Sequence, residues 1–328
     1  MKSNGVDRRS FLALGIGALG VATAPAWLRP RERMVRLTIP VMGTVGELAV
    51  PARSEGAARQ ALAAAAAELR RVEALMTRFR PDSDVGRFNV AGAGERVPVS
   101  PETAEVVRAA LACAERSGGG FDPTLERLTH LWDPARNQAP PPEAALEAAR
   151  LAAGGWRELE VTTPAGTDGA SLRRGASTAL DLGGIAKGYG VDRAAAVLRD
   201  HGVFRGLVNV GGDLVALGEG PGGRPWRIGV RDPRDPSGVL ETVEVVDEAV
   251  ATSGDYLRFF RYGGRRYHHI LDPATGEPTR SRLRTVTVSA EDALSADAAA
   301  TTVFAMGVEG ASRILASAPG SVRIIHHG

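Results

Sequence analysis

Apolar and polar positions alternate over residues 34–44, as in a strand, and the alternation stops at the turn signal Met42-Gly43. Residues 45–50 alternate loosely and read as the returning arm of a hairpin. A helical period follows over 57–76, where Leu62, Leu69, Val72 and Met76 recur on one face. Residues 77–89 break it with a polar stretch carrying two aromatics. Ser100-Pro101-Glu102 is a helix start: a capping hydroxyl, a proline in the first turn and an acid near the positive dipole end. That helix runs to Gly118-Gly119-Gly120, and residues 134–142 read as a loose surface loop. An apolar, strand-like lead-in over 177–182 enters a glycine-rich turn and then an alanine-rich helix over 185–200, closed by Gly202. Strands are expected over 207–213, 226–230, 239–246, 257–269 and 285–289, with Gly263-Gly264 at a hairpin tip. Residues 251–256 read as a polar turn. Helices over 295–306 and 310–318 and a strand over 322–326 complete the chain. Strands and helices mix without a βαβ rhythm, so the fold class expected is α+β.

At 328 residues the chain can bury a proper core, and its Gly 40 and Pro 20 are spread along it rather than massed in a tail. The formal charge of +2 resides in residues 1–26, where Lys2, Arg8 and Arg9 face Asp7; the remainder balances to 2 − 2 = 0. A neutral body gives no electrostatic case for nucleic acid. Arg8-Arg9 followed by a mildly apolar run, with Ala24-Pro25-Ala26 as a small-residue cleavage site, reads as a twin-arginine export signal over 1–26. The mature domain is then 34–328, working in the periplasm or otherwise outside the cytoplasm, or held at the membrane if the segment stays on. The lone Cys113 excludes an internal disulfide and falls on the helix pattern of 102–116, as a small buried residue does.

Three stretches could carry chemistry. Residues 181–190 place Gly183 and Gly184 before a helix whose first turn holds Lys187, an arrangement suited to phosphate or, more plainly, a tight connection with an exposed lysine. Asp297 and Thr301 lie four apart on a helix among alanines: either two hard oxygen donors for Mg²⁺, or a helix-start acid and a threonine bonded into its own helix. His268 and His269 end a strand and face opposite ways, so one of them at most serves a given site as a base. A base of ordinary imidazole pKa would change turnover across neutral pH. Their spacing to Asp297 is not that of a zinc site, and no Gly-x-Ser-x-Gly elbow occurs.

Taken in order, Met42-Gly43-Thr44, Phe79 with Asp82-Ser83, Gly120 to Thr124, Asp181 to Gly190, Asn209 to Asp213, Ala251 to Tyr256, His269 to Gly276 and Ser295 to Thr302 resemble the ApbE family of FAD:protein FMN transferases. The resemblance spans the mature chain. It implies Mg²⁺-dependent transfer of FMN from FAD to a threonine or serine hydroxyl of a target flavoprotein, with AMP released. FAD contacts would fall to Met42, Phe79, Gly120, Phe121, Asp122, Asp181, Lys187 and Leu271, in a cleft. Mg²⁺ would take the Gly184 carbonyl and the Asp297 and Thr301 side chains; His269 would move the proton. Family members often carry alanine where Gly184 stands. The acceptor implied is an exported flavin subunit of a membrane redox complex, and the twin-arginine export machinery is a further partner. A Mg²⁺-dependent FAD pyrophosphatase and a flavin-binding or delivery protein without turnover are the competing readings.

Overall fold

The computed structural model describes residues 32–163, 169–176, 178–235, 237–256, 258–307 and 323–327. The export segment expected over 1–26, Ser177 and the helix expected over 310–318 lie outside these residues. In chain order the elements are β1 (Arg33–Val41), β2 (Thr44–Ala52), α1 (Glu55–Met76), α2 (Asp84–Val90), β3 (Arg96–Val99), α3 (Pro101–Ser117), α4 (Glu126–Leu131) and α5 (Glu143–Leu151). There follow β4 (Glu160–Thr162), β5 (Ala170–Arg173), α6 (Ala186–Asp200), β6 (Gly206–Val210), β7 (Asp213–Leu217), β8 (Trp226–Arg231), β9 (Val239–Val245) and β10 (Glu248–Gly254). The last are β11 (Phe259–Tyr262), β12 (Arg265–His268), β13 (Leu271–Asp272), β14 (Glu277–Pro278), β15 (Thr285–Ala290), α7 (Ala293–Met306) and β16 (Arg323–His327).

Seven strands form the central sheet in the order β1-β2-β6-β7-β10-β15-β16, every neighbouring pair antiparallel. Period-two alternation gives the sheet two apolar faces. Val208, Val215, Ala249, Ala251, Val286 and Val288 face α1, α6 and α7, whereas Leu207, Leu214, Ala216 and Val250 meet the β8–β9 hairpin through Trp226, Ile228 and Val243. A second core gathers α2, α3 and the small β3-β5-β4 sheet around Phe88, Val106, Leu172 and Leu180. This is the α+β arrangement expected.

Helix α6 joins the two cores. Ala186 and Tyr189 at its start are buried in the second; Val191, Ala194, Ala195 and Leu198 are buried in the first. It crosses α7 closely: a Cβ built on Gly188 would stand 2.1 Å from the Ala293 carbonyl oxygen. Asp192 of α6 accepts the Ala293 and Leu294 amides at 2.9 Å each, and so caps the start of α7 together with Asp292.

Two expectations are corrected. Residues 178–182 are not a strand: the Leu180 amide and carbonyl bond the Asn89 side chain (2.6 and 2.9 Å), and the Asp181 amide bonds Pro123 O, so no ladder forms. Ala251 to Gly254 are not a turn but the second half of β10, inside the central sheet, with only Asp255 and Tyr256 beyond the strand. Their small polar side chains are satisfied locally, Thr252 by Thr287 at 2.9 Å. Gly188→Ala is expected to destabilise the fold by about 1–3 kcal/mol, because the clash with the Ala293 carbonyl outweighs the gain in helix propensity. Urea unfolding of the variant against the parent chain measures this.

Candidate functional site

The start of α6, the start of β7 and the second turn of α7 converge on one buried ion cluster. Lys187 Nζ lies 2.5 Å from Asp213 Oδ2 and 3.0 Å from Asp297 Oδ2, and both carboxylates are almost wholly buried. Asp297 Oδ2 also accepts the Gly188 amide at 3.0 Å. The helix N-terminus that the sequence offered to phosphate is thus held by the protein's own carboxylate, while the Ala186 amide is spent on Leu182 O. Asp213, read in the sequence as the end of the strand over 207–213 and within the Asn209–Asp213 stretch but given no role at the site, is the missed member of the cluster.

Two carboxylates here share one ammonium, so one negative charge is left over. Burial alone would lower the Lys187 pKa, but Asp213 and then Asp297 outweigh it and raise it. Burial, followed by the charge of Asp297, pushes the Asp213 carboxyl up to about 7 against the pull of Lys187.

Next to this cluster stand the other residues predicted for the metal. A Cβ built on Gly184 would lie 3.0 Å from Thr301 Cγ2, 3.3 Å from Thr301 Oγ1 and 3.2 Å from the Phe121 ring, so Gly184 and Thr301 are neighbours. Thr301 is not bonded back into its helix as the plainer reading had it. Its hydroxyl faces Ser253 Oγ of β10 at 3.3 Å, while Thr302 makes the back-bond to Ala298 O. Asp297 is not a helix-start residue either, since Asp292 caps α7. A carboxylate, a hydroxyl and a carbonyl are hard oxygen donors, and the unneutralised charge beside them suits a divalent cation; these residues fit Mg²⁺. Among the described residues no group of three or more His, Cys, Asp or Glu could hold a metal, so a metal here depends on the neutral oxygens.

The remaining residues predicted for FAD come from four loops and one strand. Gly120 packs on Met306 at the end of α7, where a Cβ would meet Sδ at 2.0 Å. Asp122 is pushed up by burial, against the Thr124 amide (2.7 Å) and hydroxyl (2.6 Å) that it accepts. Asp181 takes the Gly183 amide (2.9 Å), the Thr129 hydroxyl (2.7 Å) and Arg78 (3.2 Å). Phe79 is 57% exposed, with Arg78 and Arg136 against its ring at 4.4 and 5.7 Å.

Met42 occupies the β1–β2 turn at φ 51, a left-handed conformation rare for a side-chain-bearing residue; Glu73 accepts its amide at 2.8 Å. Leu271 lies apart, in a satellite core with Leu128 and Trp132. Two surface cavities of about 340 and 650 Å³, one along β1 and one along α3, involve none of the predicted site residues.

His268 and His269 separate as expected. His268 is buried, bonds Thr279 O at 3.1 Å and meets Phe304 edge-on. His269 Nδ1 faces the Arg258 carbonyl at 3.3 Å. A carbonyl only accepts, so Nδ1 carries the proton and Nε2 keeps its lone pair. Burial, then the charge of Arg258, pulls the His269 pKa down to about 3, and Lys187 contributes to the same shift. The imidazole is therefore neutral throughout neutral pH, which corrects the expectation that a base here titrates near pH 7.

The ApbE family model matches residues 42–325. The chain belongs to the ApbE family. An FAD:protein FMN transferase of Klebsiella pneumoniae (strain 342) is 31% identical over 298 residues, which cover 90% of this chain and 84% of the relative. The flavin transferase ApbE from Vibrio cholerae superposes with a TM-score of 0.77 at 31% identity, covering 90% of this chain and 93% of the other. The apo flavinyl transferase ApbE of Pseudomonas stutzeri gives 0.75 at 33%, covering 87% and 88%.

The buried acids of this ApbE chain set a pH dependence. Asp213, up to about 7, and Asp192, up to about 6, both stand above their ordinary value of 3.8. Between about 4 and 7 the native state holds protons that the unfolded chain has released, so metal-free stability falls as pH rises through this window. Asp213→Asn flattens the slope, as measured by urea unfolding across the same range.

Proposed function

We propose that the chain moves FMN from FAD to a serine or threonine hydroxyl of a target protein in a Mg²⁺-dependent reaction, forming a phosphoester and releasing AMP. The observation that carries this reading is the Gly184–Thr301 contact beside the Lys187–Asp297 pair. Two segments far apart in sequence supply one hard-oxygen pocket with a lysine at its edge. Membership of a family whose relatives bear the transferase name supports the same reading.

FAD would be held by residues in and beyond this pocket. Phe79, exposed and flanked by two guanidinium groups, presents a flat face with positive charge on it. Asp181 keeps the Gly183-Gly184 turn in place through the Gly183 amide. Phe121 walls Gly184, Gly120 lets Met306 close on the same loop, and Asp122 ties that loop through Thr124. Met42 flanks α6 at Gly190, and Leu271 belongs to the strand that follows His269. Mg²⁺, bound by Asp297, Thr301 and the Gly184 carbonyl, would neutralise charge on the pyrophosphate.

In the transfer step the acceptor oxygen forms a bond to the phosphorus on the flavin side as the bond to the bridging oxygen breaks. AMP carries that oxygen away, and the hydroxyl proton goes to His269 Nε2. A weakly basic imidazole accepts the proton late, which suits a loose phosphoryl transition state in which the nucleophile keeps its proton until bonding is advanced. Lys187, held positive by its two acids, stabilises charge developing nearby. Export by residues 1–26 would place the reaction outside the cytoplasm, with a flavoprotein subunit of a membrane redox complex as acceptor. No described helix is long and apolar enough to cross a membrane.

Incubation with FAD, Mg²⁺ and a candidate acceptor peptide, followed by mass spectrometry, tests the proposal. An FMN adduct on serine or threonine with AMP in equal amount is expected. AMP without an adduct would make the chain an FAD hydrolase, and intact FAD would leave it a flavin-binding protein. Asp297→Ala is expected to lower transfer about 10²–10³-fold and to remove Mg²⁺ binding seen by calorimetry. His269→Ala should slow transfer about 10²-fold while FAD still binds, and the parent enzyme's turnover should show no imidazole titration between pH 5 and 8, taken as about the neutral range.

A further inference from the structure

The chain beyond the export segment is electrically balanced, yet residues 258–266 carry Arg258, Arg261, Arg265 and Arg266 with no acid among them. They build the β11–β12 hairpin, a two-stranded sheet of its own turned at Gly263-Gly264 (φ 55 and 76). One face of the hairpin is anchored: Phe260 stacks on Tyr267 at 5.2 Å and Tyr267 on Trp132 at 5.7 Å. Its other face sets Arg261 directly opposite Arg266, a like-charge pair that destabilises an isolated ladder. Both lie against Phe259, at 5.8 and 4.4 Å.

Asp255 pairs with one of these arginines, Arg266, and is already shared with Arg284, at 3.0 Å each. Arg261 and Arg265 are exposed and make no ion pair among the described residues. Blunting an open sheet edge needs charge of either sign. Arg266 is thus neutralised, whereas Arg261 and Arg265 flank the Gly263-Gly264 turn from opposite faces of the hairpin, Arg265 lying 5.2 Å over the Tyr267 ring, so the tip carries two uncompensated guanidiniums that can meet an anion.

Its place relative to the candidate base matters. β12 ends at His268, one residue before His269. At about 3.3 Å per residue, Arg265 stands roughly 13 Å along the strand from His269, and Arg261, paired with Arg266, roughly 10 Å. Three or four residues of extended peptide cover that span.

Resting on the transferase reading, we infer that the Arg261–Arg265 tip of this hairpin docks a carboxylate-rich segment of the acceptor protein, adjoining the hydroxyl that receives FMN. Exposed guanidiniums give orientation and encounter rate more than raw affinity, and their effect weakens with salt.

The test is fluorescence anisotropy with a labelled peptide carrying one threonine flanked by aspartates, beside the same peptide with asparagines. The acidic peptide is expected to bind about tenfold more tightly at low salt, and the difference to vanish in R261E/R265E. R261Q/R265Q provides a milder loss should charge reversal disturb folding, which circular dichroism reports. Equal binding of the two peptides, or an undiminished preference in both variants, overturns the inference. So does equally tight binding of a single-stranded oligonucleotide or of phosphatidylglycerol vesicles. AMP release from FAD with the asparagine peptide as acceptor, read in the same preparations, should be unchanged by the variants, and with the acidic peptide at low concentration it should fall with the binding. Absence of AMP release in the parent enzyme would defeat the transferase reading and leave the peptide result standing.

Discussion

The Lys187 ammonium between two buried carboxylates is the interaction on which the site depends. It ties α6 to β7 and α7 at one point, and it does so without full compensation, since two negative charges meet one positive. Such a cluster is poor as pure stabilisation, because desolvating three ions consumes most of their attraction. What it provides is a place where charge is in demand. Without a metal the demand is met in part by a proton on Asp213, the reason its carboxyl is pushed up. A divalent cation next to Asp297 would release that proton, so metal and proton compete for the same surplus charge.

The surrounding fold keeps the three contributors rigid. α6 is buried in both cores, and its Gly188 brings it against the backbone of α7. Asp192 then seals the start of α7, one turn of α6 beyond Gly188. The candidate site is thus built on a helix pair pinned together over its first turns, laid on a sheet whose β10 presents Ser253 to Thr301. Movement of either helix would disturb Gly188, Asp297 and Thr301 together.

Much of this was legible in the sequence where a pattern had one physical cause. Ser100-Pro101 starts α3, Gly118 closes it at φ 64, and Gly263-Gly264 turns the β11–β12 hairpin, because each needs a particular backbone conformation. Asp297 and Thr301 fall on one helix face because they lie four residues apart. The failures share another cause, partners distant in the chain. β10 hides behind Thr252 and Ser253, whose polarity is satisfied by Thr287 on the neighbouring strand and by Thr301 of α7. α2 follows a proline and contains Gly86, which looks like a breaker. In the fold, a Cβ there would stand 1.9 Å from Arg80 O, so the glycine is what lets this helix form where it does. Asp213 reads as a strand end until Lys187, 26 positions earlier, is placed beside it. The run 178–182 looks like a strand because it is apolar and buried, but its hydrogen bonds go to the Asn89 side chain and to a loop.

Gly184 has a consequence of another kind. An oxygen taken from the main chain is indifferent to which amino acid bears it, yet Thr301 and the Phe121 ring leave only 3.0–3.3 Å for a first side-chain carbon. A methyl group fits only if those neighbours yield by a few tenths of an ångström. What this position accepts is therefore set by steric room between Thr301 and Phe121 rather than by the chemistry of its side chain.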